Sequence, residues 1–232
     1  MQAVILAAGK GTRMLPLTLE LPKPLIEVAG KPILEHILDA LPPDVDEVLI
    51  IVGYMKEKIV THIGESYGGK KIRYVEQWMP AGTAHALSLA RPFLAGKFLM
   101  LNADDIMGAE ALAKAVTHPL ALLVAPHPEP QKFGVVSVGK EGTLEALIEK
   151  PENPPSNLVS TGGMVLDERI FSYDVPPQGN GEYYITHPLE QLAKDEPITL
   201  VEQDIWIPVG CPEDIGIAEA RLKDIEEQTK KG

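Results

Sequence analysis

Two glycines, a lysine and an arginine fall within five positions of the stretch LAAGKGTRM, residues 6–14, directly after an apolar run. Glycines after a strand suit a phosphate group, because backbone N–H groups can approach it without a Cβ in the way. The two familiar nucleotide loops do not fit. A dinucleotide fingerprint requires a third glycine where Met14 stands, and a P-loop requires Ser or Thr after Lys10, where Gly11 stands. Taken alone, this loop could also be a glycine-rich turn that binds no ligand.

Two cations near this loop are suited to phosphate groups. Arg13 carries a planar guanidinium that matches phosphate oxygens, so it is a candidate for binding a triphosphate. Lys23 lies in the segment LPKPL, residues 21–25, whose two prolines stiffen the loop and would aim the ammonium group. The alternative for Lys23 is a solvated loop lysine. Lys10 is either a further phosphate contact or a solvated side chain.

An aspartate pair follows the apolar run FLMLN at residues 98–102. If that run is a parallel strand, Asp104 lies at its carboxyl end, where open α/β sheets bind ligands. A carboxylate there is a hard oxygen ligand that suits Mg²⁺ bound to phosphates. The structural alternative is that Asp104 or Asp105 caps the following helix or turn.

Composition excludes several classes of protein. With 33 acidic and 21 basic residues, the chain has a net charge of −12, which repels nucleic acid and anionic membranes. Cys211 is the single cysteine, so no internal disulfide forms. There is no signal-peptide pattern, and no apolar run approaches the roughly 20 residues that cross a bilayer. We therefore expect a cytoplasmic protein without nucleic-acid or membrane partners. The sequence leaves open whether the chain forms a homo-oligomer.

The elements that must position these residues alternate in the first half of the chain. Apolar runs predict strands at residues 3–8, 47–52, 72–76, 98–102 and 120–125. Helical spacing between them predicts helices at residues 32–41, 55–63, 82–90 and 109–116. This alternation predicts an α/β fold, with a Rossmann-like, mostly parallel sheet and helices on both faces.

After residue 130 the pattern predicts a mixed, partly antiparallel extension. The predicted elements are a hairpin of 133–138 and 143–150, a loop at 151–157, strands at 158–166, 198–203 and 204–209, and helices at 181–194 and 212–231. We expect one domain over residues 1–232, with a nucleotide-binding half of about 1–125 and a second half of about 126–232.

A long segment, LAAGKGTRMLPLTLELPKPLIEVAGKPILEHIL at residues 6–38, resembles the N-terminal signature of the sugar-1-phosphate nucleotidyltransferases, or nucleotide-sugar pyrophosphorylases. Later segments that resemble the same family lie at residues 76–87, 99–106, 145–151, 160–166, 182–189 and 205–215. The resemblance implies a GT-A-like nucleotidyltransferase fold, without the acetyltransferase β-helix that is fused to some relatives. It also implies an enzyme that joins an NTP to a sugar 1-phosphate with release of pyrophosphate.

The resemblance implies roles for particular residues. Those implied in catalysis are Arg13, Lys23 and Asp104, with Asp104 also holding Mg²⁺. Those implied in nucleotide binding are Leu6, Ala8, Gly9, Gly11, Thr12, Gln77, Gly82 and Thr83. Those implied on the sugar-phosphate side are Gly134, Glu149, Lys150, Thr161 and Gly162. Two of these have structural alternatives, since Thr83 could be only a helix N-cap and Gly134 only a β-bulge. Similarity of residues 76–87 to uridylyl- and thymidylyltransferases favours UTP or dTTP.

One position departs from the family pattern. Many members have a second metal-binding Asp where this chain has Pro208, which cannot ligate a metal. Asp104 could then hold the metal with phosphates and water alone, or Asp204 or Asp214 could substitute. A third alternative is a regulatory module that binds nucleotide-sugars without making them. A fourth is a related cytidylyl- or guanylyltransferase with a non-sugar acceptor, against which the sugar-pocket motifs IEKP and STGG count.

Overall fold

The structure is a computed structural model that describes residues 1–179 and 181–229. Its strands are β1 Gln2–Ala7, β2 Glu27–Val28, β3 Lys31–Pro32, β4 Glu47–Val52, β5 Ser66–Tyr67, β6 Lys70–Glu76, β7 Phe98–Asn102, β8 Asp105–Met107, β9 Ala121–Pro126, β10 Gly134–Val138, β11 Leu144–Glu149, β12 Leu158–Leu166, β13 Thr199–Glu202 and β14 Trp206–Pro208. Its α-helices are α1 Ile33–Ala40, α2 Lys56–Ile63, α3 Thr83–Ala90, α4 Ala109–Ala115, α5 Thr186–Asp195 and α6 Glu213–Thr229. Among the described residues, no helix has the length and apolar character needed to span a membrane.

Four parallel strands, in the order β7, β1, β4, β6, form the centre of the main sheet. Strands β7, β1 and β4 are apolar on both faces, as strands covered on both sides must be, whereas β6 carries the exposed Lys71 and Arg73. Ala3 and Ile5 of β1 pack in one core with α1, α2 and α4. The intervening Val4 packs in a second core with α3 and α5. The predicted α/β fold with helices on both faces of a mostly parallel sheet is confirmed.

The extension is built around β12, which lies antiparallel to β7 and β9. On one edge, β12 pairs with β10 at Val159 and then with β7 from Gly163 to Leu166. Between those two partners, Thr161 and Gly162 interrupt the regular ladder. The predicted hairpin is confirmed as the antiparallel pair β10 and β11.

Two sequence predictions need correction. Strand β9 does not extend the parallel core, because it pairs antiparallel with β12 and is parallel only to β13. The helix predicted at 181–194 begins only at Thr186. Tyr183 is held by backbone hydrogen bonds to Ala81 and Ala84 instead, at 2.8 and 2.9 Å. These contacts join parts of the chain about 100 residues apart, which local periodicity cannot reveal. Helix α6 is confirmed, although Lys230 and Lys231 of its predicted range lie outside the described residues.

Candidate active site

The glycine-rich loop follows β1 at the carboxyl edge of the parallel strands. Gly11 has a φ of 60°, and its carbonyl oxygen accepts hydrogen bonds from the Met14 amide and the Thr18 hydroxyl, at 2.9 and 3.0 Å. A Cβ on Gly11 would lie 2.9 Å from Cβ of Lys23. Glycine is therefore required both by the left-handed backbone and by the close approach of Lys23.

Lys23 lies at the start of a 3₁₀ turn, and its ammonium nitrogen is 3.2 Å from Oδ2 of Asp104. The Lys23 side chain is only 9% exposed, whereas that of Asp104 is 40% exposed. Lys23 is thus not the solvated loop lysine of the alternative interpretation. The pair places a buried cation behind a carboxylate that is open to solvent.

Asp105 has a different role from its neighbour. Its carboxylate accepts hydrogen bonds from the Trp206 indole N–H at 2.9 Å and from the Val209 amide at 3.3 Å. Burial raises the pKa of Asp105, and the adjacent negative charge of Asp104 raises it further. Asp105 therefore fastens β14 to β8, which leaves Asp104 as the carboxylate that is open to a ligand.

Arg13 is exposed and lies between two cavities. Its guanidinium makes no hydrogen bond or ion pair with residues 1–179 or 181–229, and its Nη1 lies 3.9 Å from the position of a Cβ on Gly210. All its N–H donors are available to an incoming anion.

The two cavities have volumes of about 360 and 560 Å³. The smaller one is lined by all the predicted nucleotide-binding residues, namely Leu6, Ala8, Gly9, Gly11, Thr12, Gln77, Gly82 and Thr83. The larger one is lined by all the predicted sugar-side residues, namely Gly134, Glu149, Lys150, Thr161 and Gly162. Arg13 and Asp104 line both cavities, and Lys23 lines the smaller one. The structure thus brings the predicted residues into two adjoining groups that meet at an arginine and an aspartate.

The closed end of the smaller cavity is formed by Gln77 and the start of α3. The Gln77 amide nitrogen lies 3.3 Å from the Gly82 carbonyl oxygen and 2.8 Å from Nδ1 of His85. The Thr83 hydroxyl accepts a hydrogen bond from the Ile185 amide at 3.0 Å. The interpretation of Thr83 as only an N-cap is wrong, because Gly82 occupies the N-cap position and the Thr83 side chain holds a distant segment.

The larger cavity lies where the β10–β11 hairpin meets β12. Gly134 pairs in regular register with Glu149, and the irregularity of this hairpin lies at Ser137 and Val138. Gly134 is therefore not a bulge. The Glu149 carboxylate lies 3.4 Å from Nζ of Lys150. The buried Thr161 hydroxyl donates to the Leu123 carbonyl at 3.1 Å, so this residue faces the cavity without a free hydroxyl hydrogen.

Sequence reasoning missed several residues that line the cavities. Asn102 and Tyr184 line both cavities, and they lie inside the segments 99–106 and 182–189 that resemble the family. His127 and Phe133 line the larger cavity, with ring centroids 4.6 Å apart. Phe133 also packs against Trp206 at 5.3 Å between centroids. These aromatic residues follow no motif, and only the folded chain brings them together.

The two carboxylates near Pro208 differ in their contacts, and of the two only Asp214 lines a cavity. Asp204 accepts a hydrogen bond from the Ala111 amide at 3.0 Å, which places it at the start of α4. Asp214 lines the larger cavity, but one of its oxygens accepts from the Gly210 and Cys211 amides at 2.7 and 2.8 Å. Burial raises the pKa of Asp214, but these amides and the charge of Lys23 outweigh it and lower the pKa overall.

Asp104 is therefore the carboxylate that fits a hard cation. Within residues 1–179 and 181–229, no group of three or more His, Cys, Asp or Glu side chains is arranged for a metal ion. A single open carboxylate suits Mg²⁺ only if phosphate oxygens and water complete its coordination, which Mg²⁺ tolerates well.

Comparison with known proteins identifies the class of protein. Residues 2–225 match the model of the nucleotidyl transferase family, and the chain belongs to that family. Its resemblance to the sugar-1-phosphate nucleotidyltransferases is confirmed by its curated relatives.

Two relatives illustrate the similarity. The chain is 38% identical over 237 residues to the UTP–glucose-1-phosphate uridylyltransferase AglF of Haloferax volcanii, with 97% of each protein covered. It is 36% identical over 227 residues to the bifunctional protein GlmU of Methanococcus maripaludis, covering 96% of this chain and 54% of that relative. The chain thus spans about half the length of these bifunctional relatives.

Solved structures agree with this assignment. A provisionally named glucose-1-phosphate thymidylyltransferase of Bacillus anthracis, solved with sucrose, superposes with a TM-score of 0.85 and 26% identity, covering 97% of this chain and 96% of that one. A UDP-glucose pyrophosphorylase in complex with UDP-glucose has a TM-score of 0.84 at 23% identity, covering 96% and 98%. The second likeness supports the fold alone.

Proposed function

We propose that this chain transfers a nucleotidyl group from an NTP, with UTP or dTTP preferred, to a sugar 1-phosphate, giving an NDP-sugar and pyrophosphate. The observation that carries the proposal is the junction of the two cavities at Arg13 and Asp104. A nucleotide in the smaller cavity and a sugar phosphate in the larger one would bring their phosphates together at that junction. In-line displacement needs alignment and charge neutralisation more than it needs a nucleophilic side chain.

The chain's own residues would neutralise and align the phosphates. Arg13 offers to the triphosphate a guanidinium fork that binds none of the residues the structure describes. Lys23, held at 3.2 Å from Asp104, presents a second cation at the wall of the nucleotide cavity. Oxygen of the sugar phosphate forms a bond to the α-phosphorus as the bond to pyrophosphate breaks. Backbone N–H groups of the glycine-rich loop would donate hydrogen bonds to the leaving pyrophosphate.

Magnesium is part of the proposal. Mg²⁺ bound at Asp104 would supply charge neutralisation on phosphate oxygens that the two cations do not reach. The proposed division into a nucleotide half of about 1–125 and a sugar half of about 126–232 is supported by the cavity linings, since most residues of the smaller cavity come from the first half and most of the larger cavity from the second. The cytoplasmic location and any homo-oligomer stay predictions.

Pyrophosphate release tests the proposal. The purified chain is mixed with Mg²⁺, each of the common NTPs and a panel of acceptors that contains sugar 1-phosphates and a polyol phosphate. We expect release with at least one pair, and more with UTP or dTTP than with other NTPs. Binding of nucleotide-sugar without release for any pair would support the regulatory module instead. Release only with a non-sugar acceptor, such as a polyol phosphate, would support the alternative cytidylyl- or guanylyltransferase.

A further inference from the structure

We infer that His85 is a positioning residue that fixes the orientation of the Gln77 amide and thereby the choice of base. The inference rests on the proposed function, since it concerns the nucleotide that enters the smaller cavity. It assigns a role to a helix residue that does not line that cavity.

The orientation of the Gln77 amide follows from its two neighbours. Gln77 is 6% exposed and lines the nucleotide cavity. One end of its amide lies 3.3 Å from the Gly82 carbonyl oxygen and 2.8 Å from Nδ1 of His85. A carbonyl oxygen can only accept a hydrogen bond, so the end that faces it must be the NH₂ group. The amide oxygen is then the atom left for a ligand.

The same contacts fix the tautomer of His85. The Gln77 NH₂ group can donate to Nδ1 only if that nitrogen carries no proton, so the imidazole must be neutral and protonated at Nε2. His85 lies on α3, which packs against β1 and β4 and is a rigid support. The amide donates two hydrogen bonds, and the shorter of them is accepted by His85.

An amide oxygen directed at the base selects for a donor. Uracil and thymine present a ring N–H at their pairing edge, whereas cytosine and adenine present an unprotonated ring nitrogen there. The arrangement favours UTP and dTTP over CTP and ATP, because an acceptor facing an acceptor leaves both unpaired. Without His85, the amide keeps only the longer bond to Gly82, so its orientation is held less firmly and its oxygen faces the base for less of the time.

A variant series tests this role. The wild type, His85→Leu, His85→Asn and the control His62→Leu are compared in kcat/KM for UTP and CTP with one sugar 1-phosphate. We expect the wild type to prefer UTP and His85→Leu to reduce the UTP/CTP ratio by about fivefold or more. The Asn side chain has an oxygen acceptor near the position of Nδ1, so His85→Asn should restore much of the ratio. His62 is an exposed residue of α2 that contacts Glu35, and its replacement should leave the ratio unchanged.

Several results would overturn the inference. An equal loss with UTP and CTP in His85→Leu would indicate a merely structural role, and a wild type without preference would remove the basis for any orienting role. The ¹⁵N shifts of the His85 imidazole in the folded wild type give a test that requires no variant to fold. A proton on Nδ1 would contradict the inference. If no substrate pair turns over, the proposed function fails, while the tautomer measurement still tests His85.

Discussion

The nucleotide cavity and the sugar cavity are built by different means. The smaller cavity is lined by the glycine-rich loop and by the ends of parallel strands, and many of its lining residues are glycine or alanine, which leave the backbone accessible. The larger cavity is walled by side chains from an antiparallel hairpin, the interrupted strand β12 and the turn after β14. Backbone walls suit phosphates that all NTPs share, whereas side chains distinguish one sugar from another. On the proposed function, the smaller cavity determines the class of reaction and the larger one determines the particular sugar.

The largest expected effect is at the point where the two cavities meet. Asp104→Asn removes the open carboxylate that both cavities share, and we expect kcat to fall by about 10²–10³-fold, the range seen when one key electrostatic contact is lost. The measurement is pyrophosphate release over a range of Mg²⁺ concentrations. Asp204→Asn is the control, since Asn can still accept the Ala111 N–H bond and Asp204 lines neither cavity. An unchanged rate in Asp104→Asn would reject Asp104 as the metal ligand.

Lys23→Ala is expected to reduce kcat/KM by about 10²-fold, because it removes a buried cation and leaves the neighbouring carboxylate unpaired. The assay is pyrophosphate release at subsaturating NTP. Lys10→Ala is the control, because Lys10 is exposed and lines neither cavity. Removing this exposed charge should change kcat/KM by no more than about twofold. Equal effects of the two substitutions would contradict a specific role for Lys23.

A glycine in each cavity compares backbone walls with side-chain walls. A Cβ on Gly82 would lie 2.5 Å from the Tyr183 carbonyl oxygen, whereas one on Gly162 would lie 2.4 Å from the Asn102 side-chain amide. Both have positive φ, which costs on the order of 1–3 kcal/mol for alanine. Because a backbone group moves aside less easily than a flexible side chain, we expect Gly82→Ala to lower the free energy of unfolding more than Gly162→Ala does. Gly162→Ala should mainly raise the KM for sugar 1-phosphate.

Chemical denaturation and steady-state kinetics check this pair. Gly64→Ala is the control, because Gly64 has a φ of 73° but no atom within 4 Å of the added Cβ. It should show the cost of the backbone conformation alone. A smaller loss of stability in Gly82→Ala than in Gly162→Ala would refute the distinction between the two walls.

The smallest effect is expected for Glu149→Gln. Loss of the negative charge weakens hydrogen bonds to sugar hydroxyls, and we expect the KM for sugar 1-phosphate to rise by about tenfold. The KM for the NTP should stay within error of the wild type, because Glu149 lines only the larger cavity. Separate saturation curves for each substrate make this measurement. A parallel rise in both KM values would show that the two cavities are not independent.

The nucleotide side was largely predictable from sequence, because its residues lie in short segments that follow parallel strands. Gly11, Lys23 and Gln77 each stand within a few residues of a strand or a proline that fixes the backbone. The roles of Thr83 and Asp105 were not predictable. Each side chain binds a backbone amide about 100 residues away, and such pairings become visible only in the folded chain.

The sugar side was predictable only through its motifs. Glu149 and Gly162 were expected from resemblance, but His127 and Phe133 entered the cavity without any local signal. The late start of α5 has the same origin, since the chain before Thr186 is drawn into contact with the loop at Ala81. Tertiary contacts of this kind override local helical pattern.

The change of neighbour along β12 has a consequence for redesign. Residues 163–166 are locked to the parallel core through β7, whereas Val159 belongs to the hairpin side. Thr161 and Gly162 therefore form a seam between the part of β12 that pairs with the parallel core and the part that pairs with the hairpin. Grafting a foreign hairpin up to this seam should retarget the acceptor without resetting the register of the parallel strands.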